Sequence, residues 1–304
     1  MKREASGEDP AWIEVLGSPL SVQLAAMDAR GLPRAGLLFL QNACENRCFF
    51  CASPGVTEMP AHAVTTEAQA LAWIEAARGI AVERVCIGGT EPALHPALDR
   101  CIAELRRAGF EAIELMTSGL RLGELGVAQR LAALGVSAVA VPLYAAEAAL
   151  HDAVVGHPTA YERTARGLDA ALRAGMRVEV HTLALRRTLG ALPSLAREVH
   201  ARWGGTLAIG PSRPKPGVYA WADEAPTADE LERGLEGVEH ASIVGLPLCV
   251  APALPRASAA VIQLYFRSTR TELAPACASC TRRARCPGLV AAELARSPRV
   301  RPFA

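Results

Sequence analysis

The run Cys44-Glu-Asn-Arg-Cys48-Phe-Phe-Cys51 places three thiols within eight residues. Thiolates at spacings of four and three can fold around one face of a cuboidal iron–sulfur cluster, for which Cys is the usual ligand and four thiolates the usual set. The nearest fourth candidate, Cys86, falls on an expected buried strand well downstream. The economical reading is therefore a [4Fe–4S] cluster with three protein ligands and one open iron. An open coordination position is where a substrate or cofactor binds, by the logic that keeps a catalytic zinc site open. A zinc knuckle or a set of core thiols is the plainer alternative, and three cysteines beside Phe49 and Phe50 speak against it.

A second set, Cys277, Cys280 and Cys286, falls within ten residues, with Cys249 as the natural fourth member. Four thiolates suit either a complete [4Fe–4S] cluster or a structural Zn2+. Zinc ribbons usually pair two Cys-x2-Cys knuckles, and the second knuckle is missing from this segment. Arg282, Arg283 and Arg285 either offset a cluster's negative charge or form a solvated run. Six of the nine cysteines thus fall in two tight clusters, which in a reducing compartment points to metal rather than to disulfides. Cys86 and Cys101 sit in apolar patterns and read as inert core thiols.

These groups need a scaffold. Short apolar runs at Gly36–Gln41, Arg84–Ile87, Ala112–Met116, Ser137–Val141, Arg177–Leu183 and Thr206–Ile209 read as strands. Helical apolar spacing marks Thr65–Arg78, Pro96–Ala108, Leu125–Leu134, Tyr161–Ala174 and Gly190–Arg202, the first four ending at Gly79, Gly109, Gly135 and Gly175. Six strand–helix units predict an α/β fold with a parallel sheet and right-handed crossovers, a partial (β/α)6 TIM-like barrel. An open doubly wound sheet has the same alternation. In a barrel the first cysteine cluster would follow the first strand, at the C-terminal face where active sites gather.

The Pro/Gly-rich run Gly210–Gly217 marks a boundary. The expected organisation is a lead-in over 1–35, a core over 36–212 and a small C-terminal iron–sulfur domain over 213–304. The lead-in suggests a hairpin of Trp12–Leu16 and Ser21–Ala25, and the last region a helix near Thr227–Leu235. His151-Asp152 and Gly156-His157-Pro158 lie near the expected active-site face and read as loop structure.

Apolar residues make up 51% and charged residues 21% of the 304 positions, an ordinary globular balance. A formal net charge of +1 argues against a nucleic-acid partner. The most apolar stretch, Gly135 to Leu150, is interrupted by Pro142 and Glu147 and falls short of a membrane span. No secretory signal follows the N-terminal charges, so a cytoplasmic location is expected.

In Cys44, Cys48, Phe50 and Cys51 the chain resembles the radical S-adenosylmethionine superfamily, whose signature is C-x3-C-x2-C with a bulky residue before the third cysteine. Gly88, Gly89, Thr90, Glu91 and Pro92, after the second strand, look like the family's glycine-rich turn. Thr117-Ser118-Gly119 looks like its Thr-Asn-Gly turn. The resemblance covers about residues 36–210. It implies that the amine and carboxylate of S-adenosylmethionine chelate the open iron, and that backbone near Phe50 contacts the adenine. Glycines 88 and 89 would let the main chain approach the methionyl part, with Glu91 pairing with the amine or orienting the turn. One electron would then break the sulfonium C–S bond and give a 5′-deoxyadenosyl radical that takes hydrogen from a substrate. Many relatives hold the ribose through a Ser or Asp on the fourth strand. This chain has Pro142 there, which leaves Ser118, Tyr144 and His181 as candidates.

The second cysteine set looks like the auxiliary-cluster domains called SPASM and twitch, and four cysteines allow one auxiliary [4Fe–4S] cluster, the twitch-like case. Relatives so equipped modify ribosomally made peptides, mature protein-derived cofactors or oxidise small alcohols. A peptide substrate is the first expectation and a small metabolite or cofactor precursor the second; residues 1–35 are too short for a peptide-recognition domain, which counts against the first. An electron donor such as flavodoxin or ferredoxin is implied. The reading from another class is a non-catalytic iron–sulfur or zinc protein acting as a redox carrier or sensor.

Overall fold

The computed structural model describes residues 19–28, 34–40, 43–51, 64–82, 84–212, 219–256, 271–283, 286–290, 296 and 303. Seven strands form one parallel sheet: β1 Ala35–Leu40, β2 Arg84–Gly89, β3 Ile113–Met116, β4 Val136–Pro142, β5 Arg177–Ala184, β6 Leu207–Pro211 and β7 Ala241–Ile243. Their spatial order is their chain order, β1 to β7 without a reversal. A doubly wound sheet reverses direction at a switch point, so the sequential order selects the partial barrel. The last strand adds a unit to the six expected. Its three residues, Ala-Ser-Ile, carry too little pattern to announce a strand, and it is held by pairing of Leu207 with Ala241 through Ile209 with Ile243.

Crossover helices lie between the strands: α2 Glu67–Ala77, α3 Leu98–Arg107, α4 Val127–Leu134, α5 Ala148–Val155, α6 Ala160–Arg173 and α7 Leu192–Trp203, preceded by α1 Leu20–Asp28 and followed by α8 Trp221–Glu224 and α9 Ala228–Leu235. Thr66 and Thr227 start α2 and α9 with capping boxes closed by Gln69 and Glu230. Alternate residues such as Val85, Ile87, Ile113, Leu115, Val139 and Val141 join the core shared with the helices. The other face carries Cys86, Gly88, Glu114, Met116 and His181. At its N-terminal end the buried Glu114 accepts hydrogen bonds from Arg84 (2.8 Å) and Arg177 (2.5 Å). Those charges are paired where burial of a lone one would be costly.

The expected hairpin at Ser21–Ala25 is corrected to helix α1, while Trp12–Leu16 lies outside the described residues. Leu20, Leu24 and Met27 repeat at helical spacing and are buried. From this helix Gln23 donates to Leu37 O (2.7 Å) and accepts from Leu37 N (2.8 Å). An amide side chain thus satisfies β1, the edge strand that would otherwise present unpaired backbone. A further antiparallel pair, β8 Thr271–Glu272 with β9 Leu289–Val290, lies in the C-terminal region. Among the described residues no helix is long and apolar enough to cross a membrane.

Candidate active site

The three cysteines of the first cluster lie on the loop after β1, beside the turn that ends β2. Cys44 is buried, and Cys48 and Cys51 are half-buried. Cys51 N donates to Cys48 O (2.9 Å), which curls the loop back on itself. Burial pushes the Cys44 thiol up to about 12. Nearby Glu91, Cys51 and Glu45 add to this, and a hydrogen bond from the Asn46 backbone opposes it. A sulfur of this kind surrenders its proton to a metal rather than to water, because coordination replaces the lost solvation of the thiolate.

The turn after β2 is built around Glu91, which is fully buried. Its carboxylate caps the 3-10 turn Pro92–Leu94 through Ala93 N (3.0 Å) and accepts from Thr117 Oγ1 (2.6 Å) and Ser118 N (2.8 Å). The Ser118 hydroxyl donates to it as well. Both carboxylate oxygens are therefore occupied by this protein's own donors, and Glu91 orients the turn. Gly89 has φ +140°, and a Cβ there would stand 2.0 Å from Leu40 O. The end of β1 thus demands glycine at that position before any ligand does. Gly88 faces Leu37 and Met116. Thr90 follows Gly89 directly, and Pro92 is buried at the start of the 3-10 turn.

His95 belongs to the same construction and escaped the sequence reading. Its Nδ1 accepts from Ala97 N (3.2 Å), which assigns the proton to Nε2, 2.6 Å from Thr65 O. Thr65 in turn donates to Phe39 O (3.1 Å). The spacing of His95, three residues after Pro92, was the available signal.

Aromatic rings line the loop's other side. Phe50 meets Phe49 at 5.1 Å and Tyr144 at 5.4 Å between centroids, and Phe49 meets Tyr219 at 5.6 Å. The Arg187 guanidinium lies 4.2 Å above Phe49 and pairs with Glu224 of α8. The cysteine loop is thereby joined to the segment beyond β6.

His151-Asp152 and His157 serve packing and capping. His151 Nδ1 accepts from Tyr144 N (3.2 Å), and Asp152 accepts from Thr159 N and Tyr161 N at the start of α6. Of the three ribose candidates, Ser118 is bonded to Glu91 and Tyr144 packs on Phe50. His181 stands in register with Pro142, the position that lacks a polar side chain. Burial pushes His181 down to about 4, so it is neutral near pH 7.

The second cysteine set comes together. Cys249, Cys277, Cys280 and Cys286 line one pocket, with Leu248 and Phe303 also on its wall. Cys249 sits on the 3-10 turn Leu248–Val250 after β7, Cys277 on the 3-10 turn Pro275–Ser279 and Cys280 at that turn's end, with Cys286 further along the chain. Burial pushes the Cys249 thiol up to about 11, and the other three sulfurs contribute. Arg282 stacks on Phe303 at 4.0 Å, while Arg285 lies outside the described residues. Among the described residues no three His, Cys, Asp or Glu side chains converge tightly enough to grip one metal ion. Cys86 and Cys101 are fully buried in the main core.

Residues 38–190 match the sequence profile of the Radical SAM superfamily. The chain is 28% identical over 175 residues to an AdoMet-dependent heme synthase of Methanosarcina barkeri, covering 56% of this chain and 48% of that protein. It is 29% identical over 166 residues to a GTP 3',8-cyclase of Caulobacter vibrioides, covering 52% and 46%. The chain thus spans about half the length of these curated relatives. Its fold is similar to that of Streptococcus suis SuiB, solved with the precursor peptide SuiA, at TM-score 0.54 and 13% identity over 77% of this chain and 52% of that one. The chain belongs to the Radical SAM superfamily.

Proposed function

We propose that this radical SAM protein is an enzyme that holds a site-differentiated [4Fe–4S] cluster on Cys44, Cys48 and Cys51 and reductively cleaves S-adenosylmethionine there. The observation that carries the reading is the seating of the three-cysteine loop at the C-terminal end of β1, against the turn that Glu91 locks to Thr117 and Ser118. A plain electron carrier has no need of that turn. The donor set fits the group, because three thiols and no fourth local one leave a coordination position open. When bound, the cluster and S-adenosylmethionine supply the 5′-deoxyadenosyl radical chemistry. The chain's own part is to hold the turn, to pack Phe50 beside the loop and to present His181 from the neighbouring strand β5 in place of the missing polar residue at Pro142.

Cys249, Cys277, Cys280 and Cys286 are proposed to hold an auxiliary [4Fe–4S] cluster. Tetrahedral zinc with Zn–S near 2.3 Å draws its sulfurs to roughly 3.8 Å from one another. A four-iron cluster places each thiolate on its own iron, spreading the ligands around a larger body. Four thiols gathered around one pocket suit either group, and the missing second Cys-x2-Cys knuckle favours the cluster. On this reading residues 36–212 together with β7 Ala241–Ile243 form the radical core, and the cysteine-bearing remainder of 213–304 the auxiliary domain. The substrate is proposed to be a peptide, as in the SuiB complex of similar fold. The named curated relatives, a heme synthase and a GTP cyclase, favour a small molecule as the second reading. A low-potential carrier such as flavodoxin or ferredoxin would supply the electron.

Anaerobic reconstitution with iron and sulfide, then dithionite and S-adenosylmethionine, tests the reading. The wild type is expected to release 5′-deoxyadenosine and the Cys44→Ala protein none. A silent wild type would refute the enzymatic reading, and an active Cys44→Ala protein would refute the ligand assignment.

A further inference from the structure

Glu45 sits directly beside Cys44, so a carboxylate is built into the loop proposed to hold an anionic cluster. Its Oε1 lies 3.1 Å from Arg163 Nη2 on α6, a contact between residues 118 positions apart, and 3.9 Å from Arg121 Nη1. Arg121 also pairs with Glu124 at 2.9 Å, and Arg163 reaches Glu124 at 4.0 Å. Two carboxylates and two guanidinium groups thus cancel. His157 Nε2 also lies 3.4 Å from Arg163 Nη1.

The loop's backbone is fixed separately. Arg47 N donates to Val155 O (2.7 Å), and a Cβ at Gly156 would stand 2.7 Å from Arg47 O. Position is therefore set at the end of α5, and charge is set by α6. The Glu45 and Arg163 side chains are 26% and 24% exposed, enough burial for their interaction to escape most solvent screening.

We propose that Arg163 is a positioning residue that neutralises Glu45 and thereby raises the reduction potential of the cluster on Cys44, Cys48 and Cys51. The proposal rests on the reading that those cysteines hold the cluster. Cluster potentials follow net charge and hydrogen bonding around the sulfurs. Without Arg163, Glu45 keeps a distant Arg121 that is shared with Glu124. The uncancelled negative charge beside Cys44 then favours the oxidised cluster, the less negative of the two states.

The experiment is a redox titration, followed by electron paramagnetic resonance, of the signal that responds to S-adenosylmethionine. It compares reconstituted wild type, Arg163→Gln, Arg163→Lys and the double variant Glu45→Gln/Arg163→Gln. Arg163→Gln is expected to move the midpoint to more negative potential, Arg163→Lys to stay near wild type, and the double variant to return toward it. An Arg163→Gln midpoint equal to wild type at full iron content, or a shift that Glu45→Gln leaves in place, would overturn the proposal. If Arg163→Gln takes up no iron, recovery of iron by the double variant supports it and continued loss overturns it. A wild type that binds no iron at this site sinks the first-cluster reading itself, and the proposal with it.

Discussion

Ser118 is bound to Glu91 at two atoms: its backbone N–H donates at 2.8 Å and its hydroxyl donates to the same carboxylate oxygen. The two residues end different strands, so the contact ties the β2 turn to the β3 turn beneath the cysteine loop. Glu91→Ala would strand three buried donors, Thr117 Oγ1, Ser118 N and the Ser118 hydroxyl, besides the half-buried Ala93 N, and should cost about 2–4 kcal/mol in urea denaturation. Ser118→Ala removes one donor and should cost about 1 kcal/mol. Equal losses for the two variants would show that the carboxylate is not the hub of this turn.

Gly89 is the second fixed point. A methyl group there meets backbone, Leu40 O at 2.0 Å, which cannot swing aside as a side chain would. Gly89→Ala should therefore open the β1–β2 ladder and cost more than about 3 kcal/mol, visible as a fall in thermal midpoint or loss of folded protein. A variant with the wild-type midpoint would mean that the two strands can part at this level without harm.

Much of this architecture was legible before the coordinates, because parallel strands are apolar runs and crossover helices carry a strong period. All six expected strands are present within a residue or two of their expected bounds. Helix α5 was missed because Ala148–Val155 is only eight residues long and its polar pair His151-Asp152 reads as loop structure. Helix α1 was misread because Ser21–Ala25 alternates locally, and the Gln23–Leu37 clasp that selects helix is a tertiary contact. The same limit hid the supports of the candidate site. The motif residues could be seen along the chain, whereas Glu91 to Ser118 spans 27 positions and Glu45 to Arg163 spans 118.

Two buried histidines predict how stability falls in acid. Burial pushes His151 and His181 down to about 4, below the ordinary value of 6.5. The unfolded chain takes up protons as pH falls through 6.5, and the native state does so only near 4. Stability is then complete above pH 6.5, declines between 6.5 and 4, and levels off below. Each group contributes a slope of about 1.4 kcal/mol per pH unit within that window. His151→Asn keeps an acceptor for Tyr144 N and removes one titrating group. It should lose less stability than wild type between pH 7 and pH 5, and an unchanged loss would contradict the assignment.

The four-cysteine cavity predicts a metal count. Cys277→Ala/Cys280→Ala should contain about four fewer irons per chain than wild type after reconstitution. Loss of about one zinc with iron unchanged would replace the auxiliary cluster by a structural zinc site.

The central claim is that Cys44, Cys48 and Cys51 hold a cluster with one iron open to S-adenosylmethionine. Electron paramagnetic resonance of the dithionite-reduced Cys277→Ala/Cys280→Ala protein, with and without S-adenosylmethionine, tests it most directly. The account predicts a [4Fe–4S]+ signal whose g-values change when S-adenosylmethionine is added. A signal that S-adenosylmethionine leaves unaltered, or one that survives Cys44→Ala in the same background, would contradict it.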